Sequence, residues 1–227
     1  RIGLSATVGN SDDAAKFLVG TKRKYQIIRD NTIRKYDVEI KHVNGTISDV
    51  ADFMVEYLAK LNLDSPVLLF TNTRGEAEFL ASILREKSPV SVELHHGSLS
   101  QQVREETEDN LKSGKSRLVV CTSSLELGLD IGSVELVMHY GSPRQVSKFM
   151  QRIGRSKHNK HSSAKGLIVT NNVDDELETK AILERIHEGS IEDQLIHDGS
   201  LDVLAHHLVG LSMQIGSMSV SDALEIF

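Results

Sequence analysis

Residues 67–74 read "VLLFTNTR". The run 67–71 is short, apolar at every position but its last, and preceded by Pro66. A strand in the middle of a parallel sheet, covered on both faces, has this composition, because neither face meets water. The polar triplet Asn72-Thr73-Arg74 then opens a helix, with Asn72 or Thr73 as its cap. One strand handing directly to one helix is the unit from which the rest of the chain is read.

The same unit recurs on both sides of it. Upstream, "KYDVEIKHV" (35–43) alternates polar and apolar residues with period two, and 47–63 carries Val50, Phe53, Met54, Tyr57, Leu58 and Leu61 at helical spacing. Downstream, periodicity predicts a helix at 74–87, a strand at 90–95, a helix at 101–113 ended by Gly114, and strands at 117–122 and 134–140. A helix at about 144–153 and a last strand at 166–170 follow. Strands alternating with helices imply right-handed crossovers, a parallel sheet and helices on both faces. Ligands of such sheets bind beyond the carboxyl ends of the strands.

Bulk properties exclude several classes. The 227 residues carry a net charge of −6, so any polyanion site is a local patch. No apolar run reaches the roughly 20 residues that span a bilayer. One cysteine, Cys121, allows no internal disulfide and suits a reducing, cytoplasmic setting. The chain opens in an apolar stretch without Met, which reads as an excerpt from a longer protein, and 174–227 reads as a charged helix followed by an incomplete second module.

Three strand ends offer phosphate seats. Arg74 follows the first, "HHGSLS" (95–100) with Gly97 and Ser98 forms the second, and Thr122-Ser123-Ser124 the third. His95 and His96 are adjacent on a strand and point to opposite faces, which argues against a shared metal; no metal site is expected. Asp130 sits in a turn where a carboxylate can accept from ribose hydroxyls, after Gly128 interrupts the helix. From Leu136 to Val173 there is no Asp or Glu, while Arg144, Lys148, Arg152, Arg155, Lys157, Lys160 and Lys165 fall in that interval. Arg144, Lys148, Arg152 and Arg155 recur at three- and four-residue steps, which predicts a basic helix side needing an anion to offset its self-repulsion.

Taken together these strings resemble superfamily 2 helicases. "LSAT" (4–7) is similar to their motif III, "VLLFTNTR" to motif IV and "HHGSLS…R" (95–104) to the segment after it. "TSSLELGLDIG" (122–132) is similar to motif V and "QRIGR" (151–155) to motif VI. With "GSPR" between the last two, the wording is most like the large helicase-related (Lhr) group, ATP-dependent translocases on DNA. The resemblance implies a RecA-like second lobe over 34–173, the tail of a first lobe and connector over 1–33, and the entry to a winged-helix domain over 174–227. It implies Arg155 as the arginine finger, assisted by Gln151 and Arg152, with Gly128 and Asp130 near ATP. Thr71, Asn72, Arg74, Gly97, Ser98, Thr122 and Ser123 would line a nucleic-acid track for single-stranded DNA or a duplex or hybrid, and Ser5 and Thr7 would couple the two functions. His158 stands where many relatives of the wider superfamily carry a further arginine.

No G-x-x-x-x-G-K-[ST] loop and no DE-x-H box occur in the chain. The expectation is therefore that ATP and Mg2+ are held mainly by a first RecA-like lobe of the same polypeptide, and that this chain alone turns over nothing. The competing reading is a nucleic-acid-binding module without ATPase activity. A sugar-nucleotide transferase with two Rossmann-like halves also places phosphate seats after strands, but gives no reason for "LSAT" and "QRIGR" together.

Overall fold

A computed structural model describes residues 1–5, 7–20, 23–29, 36–61, 65–126, 134–156, 163–193, 196–197 and 199–226. Among these residues six strands alternate with helices. They are β1 (Tyr36–His42), β2 (Val67–Phe70), β3 (Val92–His95), β4 (Leu118–Cys121), β5 (Leu136–Tyr140) and β6 (Ala164–Thr170). The helices are α1 (Ser11–Val19), α2 (Ile47–Leu61), α3 (Arg74–Lys87), α4 (Gln101–Lys112), α5 (Val146–Ile153), α6 (Val173–His187), α7 (Leu201–Ile215) and α8 (Val220–Ile226). α1 has no counterpart in the sequence expectations.

All pairings are parallel, in the order β1-β6-β5-β2-β4-β3. The order follows from burial. β2 and β4 are buried at every position and lie inside the sheet, whereas β1 alternates half-buried and exposed residues and lies at an edge. Successive side chains alternate between two apolar layers. Leu69, Val120, Met138 and Val169 join Met54 of α2 and Leu80 and Leu84 of α3 on one face. Leu68, Phe70, Val119, Val137 and Ile168 join Phe149 and Ile153 of α5 and Ile182 of α6 on the other. This doubly covered sheet fixes the carboxyl ends of β2, β4 and β5 side by side, where the polar residues converge.

Candidate nucleotide and nucleic-acid site

The turn after β2 is set by a capping box. Thr73 accepts from the Glu76 amide at 3.2 Å, and the Glu76 carboxylate accepts from the amides of Thr73 (2.9 Å) and Asn72 (3.2 Å). The phosphate seat expected at these two amides is thus filled by the chain's own carboxylate. Thr71 is fully buried and its hydroxyl donates to the Thr73 carbonyl at 2.9 Å, so its side chain does not line a track. Asn72 is an internal brace: its amide donates to the Ser142 carbonyl at 2.8 Å and its carbonyl accepts from Arg152 at 3.4 Å.

Arg74, Gly97, Ser98 and Ser123 are exposed. Arg74 donates to the Ser98 hydroxyl, Arg104 donates to the Gly97 carbonyl at 3.1 Å, and the Ser98 amide donates to His96 Nδ1 at 3.3 Å. These bonds tie the loops after β2 and β3 into one rim. β4 lies between them, and its Thr122 is buried (7% exposed), leaving Ser123 as the exposed residue of that loop.

The basic segment is arranged differently from the expected helix side. Arg144 precedes α5 in the left-handed region (φ 68°) and pairs with Asp175 (2.9 Å) and Glu178 (2.8 Å) of α6. Arg152 is 3% exposed. It donates from Nε to Glu126 Oε1 at 2.7 Å, reaches Asn72, meets His139 Nε2, and stacks 5.3 Å over the Phe70 ring. Arg155 lies beyond the end of α5 and gives two hydrogen bonds to the Glu126 carbonyl, at 2.9 and 2.6 Å. The acids absent from 136–173 come from 126, 175 and 178, so the charges of Arg144 and Arg152 are offset by tertiary neighbours. Arg152 is consequently a buried brace and not a surface cation.

His139 completes that brace. Its Nδ1 donates to the Gly141 carbonyl at 2.8 Å, which leaves Nε2 as the acceptor for Arg152. Burial, reinforced by the Arg152 charge, holds this imidazole neutral, its pKa well below the usual value. The nearby Cys121 thiol is buried and pushed strongly up by desolvation, so it is packing, not a nucleophile.

Gln151 donates from Nε2 to Thr7 Oγ1 at 2.9 Å, and the Thr7 amide faces Ser5 Oγ at 3.4 Å. The far end of α5 is held by Glu192, whose carboxylate accepts from the amides of Val146 and, at 3.1 Å, Ser147. The backbone of Glu192 also touches Gly9, where a Cβ would stand 2.2 Å from its carbonyl oxygen. Segments from both termini thus grip one helix.

Gly128, Asp130, Lys157, His158 and Lys160 lie outside the described residues. Among the described residues no cluster of three or more metal-ligating side chains occurs, and no helix is long and apolar enough to cross a membrane. Glu126, His139 and Glu192 were not singled out from sequence. Glu126 sits inside a quoted motif, but nothing local marks a buried acid whose partner is 26 residues away.

Residues 49–160 match the helicase conserved C-terminal domain. The ATP-dependent helicase Lhr-Core of Methanocaldococcus jannaschii is 40% identical over 226 residues, covering 94% of this chain and 26% of the relative. The Lhr helicase/uracil glycosylase of Escherichia coli is 31% identical over 278 residues, covering 100% of this chain and 18% of the relative. The Mycobacterium smegmatis helicase Lhr, solved bound to ssDNA and AMP-PNP, superposes with a TM-score of 0.83 at 32% identity, over 94% of this chain and 29% of that one. The chain spans about a quarter of the length of the Lhr-Core relatives it matches. With a six-stranded parallel sheet among its described residues and these matches, the chain is a C-terminal helicase lobe and belongs to the superfamily 2 helicases of the Lhr type.

Proposed function

We propose that this lobe supplies the arginine finger and part of the phosphodiester track of an ATP-driven DNA translocase. The observation that carries the reading is Arg155, oriented by two hydrogen bonds on the Glu126 carbonyl while the same residue's carboxylate locks Arg152 beneath it. A guanidinium fixed at the sheet's carboxyl edge is suited to meet the charge that develops on a transferring phosphoryl group. ATP and Mg2+ would be held mainly by a first RecA-like lobe of the same polypeptide, facing Arg155 and Gln151. Gly128 and Asp130 would complete the near wall.

The exposed rim of Arg74, Gly97, Ser98 and Ser123 would track sugar-phosphate, as neighbouring loops spaced by a parallel sheet can. Thr71, Asn72 and Thr122 would serve it from beneath, by fixing the turns. The bond from Gln151 to Thr7 would couple nucleotide state to the segment containing "LSAT". A single free, buried cysteine fits a cytoplasmic protein. The ssDNA and AMP-PNP held by the mycobacterial Lhr helicase support this assignment of ligands.

Arg155→Ala in the full-length protein is expected to lower DNA-dependent ATP turnover by about 10³-fold, the range for such fingers. Turnover within a few-fold of wild type would remove the assignment. The 227-residue chain alone should hydrolyse no ATP.

A further inference from the structure

His95 stands at the end of β3, 2% exposed, and bridges two loops of the proposed rim. Its Nδ1 lies 2.7 Å from Ser124 Oγ and its Nε2 lies 3.2 Å from Glu108 Oε1 on α4. Ser124 Oγ also lies 3.1 Å from the His95 carbonyl oxygen. These contacts form a chain from a carboxylate, through an imidazole, to a hydroxyl in the loop that follows β4.

The protons cannot satisfy all three contacts while the ring is neutral. If Nε2 carries the proton, it donates to Glu108, and Nδ1 must take the single hydroxyl proton of Ser124. The hydroxyl then has nothing to give to the His95 carbonyl or to any ligand. If Nδ1 carries the proton, Ser124 can donate elsewhere, but the Nε2 lone pair faces a carboxylate oxygen. Only the doubly protonated ring makes both ring contacts favourable and releases the Ser124 proton for another acceptor. Opposed to that state is burial, which pushes the ring below its ordinary 6.5; Glu108 pulls the other way, while Arg104 on α4 and His96 just past the end of β3 add further opposition. The neighbouring strand β4 brings Cys121, whose thiol burial keeps protonated. In the free protein the neutral ring therefore holds the Ser124 proton on Nδ1, while the His95 carbonyl is served by the Thr122 amide at 3.3 Å; an anion at the loop would favour the doubly protonated ring, which frees that proton.

We propose that Glu108 and His95 are positioning residues for Ser124, and that this relay links the grip of the β4 loop on a phosphodiester to uptake of one proton at His95. The proposal rests on reading the strand-end rim as the nucleic-acid track. A phosphate oxygen at the loop accepts the freed hydroxyl proton and stabilises the imidazolium, so ligand and proton each favour the other by the same factor. The sign follows directly: affinity rises as pH falls from the His95 titration of the complex toward that of the free protein, which burial holds below the ordinary value, by at most tenfold per pH unit for one proton.

The test is the affinity of the full-length protein for an oligothymidylate single strand at fixed ionic strength, between about pH 5.5 and 7.5. Wild type is expected to bind several-fold more tightly at the acid end. Ser124→Ala and His95→Asn should flatten that dependence, and Glu108→Gln should move it to lower pH. In parallel, the His95 ring resonance should titrate at higher pH with the strand bound than without it. Profiles parallel to wild type in all three variants, or a His95 titration unmoved by the strand, would overturn the relay. A wild type that fails to bind the strand at any pH would instead sink the track reading, and the relay with it.

Discussion

Gln151 and Thr7 are 144 residues apart in sequence and joined by a 2.9 Å hydrogen bond from amide to hydroxyl. Thr7 is 6% exposed, so the bond is shielded from water. It fastens the N-terminal segment to α5, the helix just ahead of the candidate finger. In a double-mutant cycle of Gln151→Ala and Thr7→Val, urea unfolding should give a coupling of about 1 kcal/mol. Additive losses would mean that the two side chains stabilise the fold independently.

Glu126 holds Arg152 by a pair of contacts at 2.7 and 2.6 Å, with both residues less than a tenth exposed. Removing one charge of a buried pair strands the other, at a cost of about 3–5 kcal/mol. Glu126→Ala is expected to lose that much in denaturant melts, while the paired change Glu126→Gln with Arg152→Met should recover a good part of it. A single-variant loss below about 1 kcal/mol would contradict a desolvated pair.

Gly97 is exposed, and a Cβ built there meets nothing within 4 Å. Gly97→Ala should therefore leave stability within about 0.5 kcal/mol of wild type. If a phosphodiester backbone approaches at this point, the same methyl group weakens oligothymidylate binding by the full-length protein. Unchanged affinity would move the track away from the β3 loop.

His139 is neutral in the folded chain, with its proton affinity lowered first by burial and then by Arg152. Unfolding returns the ring to an ordinary value near 6.5, so the unfolded chain binds more protons than the folded one below that pH. The contribution is fully present above pH 6.5 and is lost as pH falls beneath it. Denaturation midpoints should decline between about pH 6.5 and 5, and less steeply in His139→Asn, which retains an acceptor but does not titrate. Equal slopes would assign the decline to other groups.

Much of the sheet was readable in advance because its signals are local. The apolar runs at 67–71 and 117–122 and the alternation at 35–43 report how many faces of each strand are covered, and β2, β4 and β1 lie where those patterns put them. The strand ends were likewise placed by the hand-over from apolar run to polar turn. The helix start at Arg74 followed from the residues that can cap it, with Thr73 the one that does.

The charge reading failed for a physical reason. Spacing along one helix counts only the charges on that helix, so Arg144, Lys148, Arg152 and Arg155 looked like an unbalanced face. In three dimensions Arg144 is outside α5, Arg155 is past its end, and the acids arrive from α6 and from the turn after β4. Thr71 and Arg152 match helicase motif positions yet are buried, since a motif string gives residue type but not exposure.

The amino-acid order by itself determined the alternation of strands and helices, the doubly covered sheet and the polar turns at the ends of β2, β3 and β4. Each of those depends on interactions within a few residues or on the simple count of apolar faces. Which side chains reach solvent, which acid quenches which base, and how Thr7, Glu126, His139 and Glu192 lock one helix were decided only by the tertiary structure. Those outcomes depend on distances between residues far apart in the chain, and on burial, which sets whether a charge is a ligand site or a brace.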